Sequence, residues 1–183
     1  MSDELFKDSS TAIKENSIYL FSGIEGDAAL QIATYLDSTK PEIEKTMYIN
    51  STGGDIYDML AIMNAMKGHN IHGIVTGCAA SAAALILLCC PKRSAHRYSF
   101  LMMHDSLVST DQVKKTDLEN YTQIQNIIFK DMMRDLLQKT KITEKTYNEK
   151  TKNDWFITPK QALTLGIIHK IIAPPNQKGK ISE

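Results

Sequence analysis

Short apolar runs alternate along this chain with stretches in which apolar residues recur every three or four positions. Ser17-Ile18-Tyr19-Leu20-Phe21 predicts a strand and Gly23 to Gly26 a turn. From Asp27 to Asp37, Ala28, Ile32 and Leu36 fall at helical spacing behind an Asp suited to capping. Thr46-Met47-Tyr48-Ile49-Asn50 predicts a second strand, and Ile56 to Met66 a strongly apolar helix. Lys67-Gly68-His69-Asn70 breaks that helix, Ile71 to Thr76 predicts a third strand, and Tyr98 to Met103 a further buried one. Strand–helix units repeated with short loops argue for an α/β core.

A long helix is predicted from about Thr116 to Lys139, with Leu118, Tyr121, Ile124, Ile128, Met132 and Leu136 at three- and four-residue intervals. Ile127, Phe129, Met133 and Leu137 fall outside that stripe. A helix apolar on more than one face is either an internal core helix or one with several partners. The stretch after Ala173, Pro174-Pro175-Asn176-Gln177-Lys178-Gly179-Lys180, is polar and breaker-rich and predicts a disordered tail.

The chemistry concentrates at Gly77-Cys78-Ala79-Ala80-Ser81-Ala82-Ala83, between the apolar runs Ile74-Val75-Thr76 and Ala84-Leu85-Ile86-Leu87-Leu88. One hydroxyl is thus placed at a strand-to-helix junction among small residues, near free N–H groups and the positive end of a helix dipole. Such a serine is either a nucleophile or a helix N-cap. Upstream, Ser51-Thr52-Gly53-Gly54-Asp55 follows a strand, and its paired glycines bare N–H groups that can stabilise an oxyanion or simply make a tight turn. Downstream, His104 ends an apolar strand and precedes the polar Asp105-Ser106, where it is either a general base or an ordinary hydrogen-bonded histidine.

Ile49-Asn50-Ser51-Thr52-Gly53-Gly54, Gly77-Cys78-Ala79-Ala80-Ser81 and Met102-Met103-His104 together resemble the proteolytic subunit of the Clp protease, the ClpP family of serine peptidases. Asn153-Asp154-Trp155-Phe156-Ile157-Thr158-Pro159-Lys160-Gln161-Ala162, with Leu165-Gly166-Ile167-Ile168, resembles that family's C-terminal motif. The likeness spans roughly Ile18 to Ile172 in four ordered blocks. It implies Ser81 as nucleophile, His104 as general base and acid, and Asp154 as the residue that orients the histidine. Glu144, Glu149 and Asp105 are the other nearby acids. Gly54 and Ala82 match the positions whose amides form the oxyanion hole.

The resemblance further implies an α/β fold, a crotonase-like spiral of β-β-α units with a protruding handle helix. It implies a single peptidase domain over residues 1–172, a handle over about 105–139, and the tail over 173–183. Heptameric rings paired as a tetradecamer, an AAA+ unfoldase of ClpX, ClpA or ClpC type and substrates of short or unfolded polypeptide follow from the same likeness.

Several positions depart from the family pattern, and a phage-type member fits these departures. Ser-Thr-Gly-Gly replaces Ser-Pro-Gly-Gly, and Asp105 to Gln112 lacks the glycines typical of the start of the handle. Asn153 replaces an arginine, and few residues precede Ile18 for a propeptide and axial hairpin. Alternatives sharing parts of the pattern are a phage prohead or scaffold-processing protease, a non-catalytic ring subunit, and an acyl-CoA hydratase of the crotonase fold.

Composition narrows the rest. Lys plus Arg equals Asp plus Glu, 21 each among 183 residues, so no net charge recruits nucleic acid or an acidic membrane. Cys78, Cys89 and Cys90 lie in apolar segments without metal-ligand spacing, as expected of reduced thiols; no metal or other cofactor is expected. No Gly-x-x-x-x-Gly-Lys-Ser/Thr loop occurs, so ATP would act through a partner. The apolar run Ala79 to Pro91 is too short to span a bilayer, and the N-terminus lacks a basic and apolar leader. A cytoplasmic protein is expected.

Overall fold

The computed structural model of the chain describes residues 11–105 and 115–173; the glycine-poor segment 106–114 and the tail 174–183 lie outside the described residues. The chain opens with an antiparallel pair, β1 (Thr11–Lys14) and β2 (Ser17–Leu20). Helix α1 (Gly26–Asp37), β3 (Lys45–Ser51), α2 (Ile56–Ala65), β4 (Ile71–Ala80), α3 (Ala82–Cys89) and β5 (Lys92–His96) follow in strict alternation. Then come β6 (Phe100–Met103), α4 (Lys115–Leu137), α5 (Glu144–Lys150), β7 (Trp155–Ile157), α6 (Pro159–Thr164) and β8 (Lys170–Ile172).

One eight-stranded sheet runs β1-β2-β3-β4-β5-β8, and β6 pairs with both β4 and β7. The β2, β3, β4, β5 and β8 ladders are parallel, as short helical crossovers require. β4 forks. Its first half, His72 to Val75, pairs with β5, and its last residues, Cys78 to Ala80, pair with β6. The apolar spacing predicts a strand ending at Thr76; pairing with β6 carries it four residues further, up to Ser81.

Ile18, Leu20, Met47, Ile49, Ile71 and Val75 are fully buried among the core residues of the helices, including Ile32, Leu36 and Ile62. Tyr19 and Tyr48, on the other face, are only half-buried and stack at 5.1 Å. Every residue of α3 from Ala82 to Leu88 is buried, as a helix apolar all round must be. The expected Asp27 cap is corrected: α1 begins one residue earlier, its N-cap is Glu25, and no side chain caps it. Asp55 does cap α2, accepting from the amides of Tyr57 and Asp58.

The two readings of the long helix each describe part of α4. Met133, Leu136 and Leu137 near its C-terminal end are buried in the core, whereas Ile124, Ile127 and Ile128 are exposed. Strands β1 and β5 and helix α5 were not legible as apolar runs. β5 carries Lys92, Arg93, Ser94 and His96, yet Arg93 is only 3% exposed. Its guanidinium donates to the carbonyls of Cys90, Lys139, Gly166 and Ile167, tying together the ends of α3 and α4 and the approach to β8.

Candidate active site

Ser81 stands between β4 and α3 with φ 53° and ψ −125°. A side chain at such a φ costs roughly 1–3 kcal/mol, and glycine is the usual occupant. Its backbone is fixed from both sides. The Ser81 N–H donates to the Met102 carbonyl at 2.9 Å, and the Ser81 carbonyl accepts from the amides of Ala84 and Leu85. The side chain makes no capping hydrogen bond, so the N-cap reading does not hold. Ser81 Oγ instead lies 2.8 Å from Nε2 of His104, brought there by the pairing of Cys78–Ala80 with Phe100–Met102.

His104 is half-buried, and both ring nitrogens are engaged. Nδ1 lies 2.5 Å from the main-chain carbonyl of Asp105. A carbonyl only accepts, so Nδ1 carries the hydrogen and Nε2 turns its lone pair toward the Ser81 hydroxyl. Asp105 is held in turn: its N–H donates to the carbonyl of Thr151 at 2.9 Å. Thr151 is 3% exposed, and both its N–H and its hydroxyl donate to the Tyr147 carbonyl.

The glycine turn presses on the serine from the other side. Gly53 has φ +97°, and a Cβ there would sit 2.7 Å from Ser81 Cβ and 3.0 Å from the Ala82 nitrogen. Gly54 forms a parallel bridge with Ile24: the Ile24 N–H donates to Gly53 O and the Asp55 N–H donates to Ile24 O. Because Ile24 engages residues 53 and 55, the Gly54 N–H points away from it. A Cβ on Gly54 would lie 2.3 Å from Ile24 O, so the turn tolerates no side chain there. Ala82 is the first residue of α3, where an amide has no intrahelical acceptor.

Asp154 is exposed and stands one residue before the β6–β7 pair Met103↔Trp155, which places it opposite His104. Among the described residues no hydrogen bond joins it to the histidine; the Asp105 carbonyl occupies that position. The structure thus unites Ser81, His104, Gly53, Gly54 and Ala82, and leaves Asp154 adjacent but unbonded. The part of Asp105 is main-chain and invisible to any reading of side chains.

A cleft of about 220 Å³ opens beside Asp105, with Ile56, Phe129, Met133 and Tyr147 among its apolar walls and Lys130 and Glu144 among its polar ones. None of the three cysteines is poised as a nucleophile. Burial raises the thiol pKa of Cys78, pushes that of Cys89 up to about 11 and that of Cys90 higher still. Among the described residues no helix is long and apolar enough to cross a membrane.

A strained serine at a strand–helix elbow, a histidine accepting from its hydroxyl and amides nearby that find no acceptor among the described residues define a hydrolase of the serine type. Residues 2–175 match the Clp protease family model, and the chain belongs to that family. It is 31% identical to the ATP-dependent Clp protease proteolytic subunit 2 of Synechococcus sp. (strain CC9605), over 89% of this chain and 86% of that one. It is 29% identical to the proteolytic subunit 1 of Prochlorococcus marinus (strain MIT 9312), over 93% and 91% of the two chains. A proteolytic subunit 2 of Prochlorococcus marinus (strain MIT 9313) is 33% identical over 77% and 71%. The chain is a serine-type endopeptidase, and the comparisons do not favour the capsid-processing, structural-subunit or hydratase alternatives.

Proposed function

We propose that this chain is the proteolytic subunit of a Clp-type ATP-dependent protease, hydrolysing short or unfolded polypeptides with Ser81 as nucleophile. The observation that carries the reading is the 2.8 Å contact between Ser81 Oγ and His104 Nε2, made with Ser81 held in a conformation serine does not favour. His104 takes the hydroxyl proton as Ser81 attacks the peptide carbonyl, and returns it to the leaving amine. The Gly54 and Ala82 amides hold the oxyanion, and water then releases the acyl group. Asp154 supplies negative charge beside the imidazolium. The cleft at Asp105 receives a substrate side chain.

Membership of the family implies ring assembly and work with a Clp ATPase. The exposed Ile124, Ile127 and Ile128 on α4 support self-association through this helix. The finer reading is two stacked heptameric rings in the cytoplasm, served by an unfoldase of the ClpX, ClpA or ClpC type.

Incubation with a fluorophosphonate probe, followed by peptide mass spectrometry, tests the mechanism. The expected adduct is on Ser81 and is lost in Ser81→Ala and His104→Ala. Unchanged peptidase rates in either variant would sink the assignment.

A further inference from the structure

The face of β6 that carries His104 also carries an aromatic pair. Burial alternates from Phe100 to His104: Leu101 and Met103 point into the core, and Phe100, Met102 and His104 share the opposite face. Phe156 stands directly across from Met102 in the antiparallel β6–β7 pair, so it lies on that face too. The rings of Phe100 and Phe156 meet with centroids 6.0 Å apart, yet the two residues are 42% and 60% exposed. Cys78, the β4 partner of Phe100, is half-buried beside them and extends an apolar strip. Large rings left side by side in water mark a surface that something apolar covers.

The chemistry says what covers it. The proton that His104 takes from Ser81 goes to the leaving amine, which must come within hydrogen-bond reach of the ring. The half of the substrate beyond the scissile bond therefore passes over the face that carries His104. The cleft beside Asp105 opens on the other side of the histidine along the chain and is left to the acyl half. Met102 and Phe100 precede His104 by about 7 Å and 14 Å at the rise of a strand. An extended peptide presents side chains to one face at the same interval of about 7 Å, so alternate leaving-side residues fall on Met102 with Phe156 and then on Phe100. Strand β6 is already hydrogen-bonded to β4 on one edge and β7 on the other, so a peptide here is held by side-chain packing and not by a main-chain ladder. A second copy of the chain seated on this face would cover the half-buried base as well.

We infer that Phe100 and Phe156 form a subsite that selects apolar side chains, aromatic or long aliphatic, on the leaving side of the scissile bond. The inference rests on Ser81 and His104 being the reacting pair, and it adds a specificity that those two groups do not supply.

The test uses the assembled full-length chain and internally quenched peptides with a common acyl half, carrying Phe, Leu, Asp or Gly at the first two positions after the scissile bond. The wild type should favour Phe and Leu over Asp by about tenfold or more in kcat/KM, within what an apolar site discriminates. With Phe100→Ser and Phe156→Ser combined, that ratio should fall to about twofold or less. In Phe156→Arg the order should turn toward Asp, by charge complementarity. Leu30→Ser, at an exposed leucine of α1, should keep the wild-type ratio. A wild type without leaving-side preference, or a preference that survives in the double variant, overturns the inference. So does dissociation of the assembly in the double variant, seen by sedimentation, which would assign the pair to a contact between copies. Absence of Ser81 phosphonylation in the wild type would instead overturn the serine mechanism, so the two failures are told apart.

Discussion

The amide of Ser81 donates to the carbonyl of Met102 at 2.9 Å, two residues before the histidine that meets the serine hydroxyl. One main-chain bond thus sets the distance between nucleophile and base, and it also holds Ser81 at φ 53°. Ser81→Gly should relieve that backbone and stabilise the fold by about 1 kcal/mol, since strain of this kind costs roughly 1–3 kcal/mol and glycine's added unfolded-state entropy offsets part of the gain. Peptidase activity should vanish in the same protein. Thermal or urea unfolding beside a peptidase assay checks both halves; a destabilised Ser81→Gly would contradict the strain.

The turn above the serine has no room for a methyl group. Gly54→Ala would place Cβ 2.3 Å from the Ile24 carbonyl oxygen and force apart the two hydrogen bonds that position the turn. Loss of one oxyanion donor costs about 10² to 10³ in kcat. We expect a loss of that order in Gly54→Ala, together with a lower Tm. Gly26→Ala is the control, because a Cβ at Gly26 meets nothing within 4 Å. Wild-type kcat in Gly54→Ala would remove this turn from the site.

His69 makes stability pH-dependent. It is 9% exposed, its Nδ1 has no hydrogen-bond partner among the described residues, and burial followed by the nearby Lys45 lowers its pKa. A depressed histidine pKa stabilises the fold above the unfolded value of about 6.5, and that contribution is lost as pH falls through the folded value. The Tm should therefore drop between pH 7.5 and pH 5.0, and drop less in His69→Gln. Some dependence should remain, because burial also lowers the pKa of His72 and His169. An identical pH response in His69→Gln would exclude this histidine as a source.

Much of the fold was legible because the sheet is parallel and buried, so its central strands read as apolar runs. The strands around Met47 and Ile74, and the helix Ile56–Ala65, lie where the apolar spacing puts them. β5 was not legible. It buries Arg93 and Ser94 beside Ala95, the arginine satisfied by four carbonyls, and a sequence pattern registers only polarity.

The sequence by itself determined which side chains could do chemistry: a serine among small residues, a glycine pair after a strand and a histidine at a strand end. Each of these is a local matter of residue size, backbone freedom and element boundary. Tertiary structure decided how they meet. The fork of β4 onto β6 sets the Ser81–His104 contact, and a bridge to Ile24 turns the Gly54 amide outward. It also set the Asp105 carbonyl 2.5 Å from His104 Nδ1. Every residue carries a carbonyl, so only the tertiary bond from the Asp105 N–H to the Thr151 carbonyl could select this one.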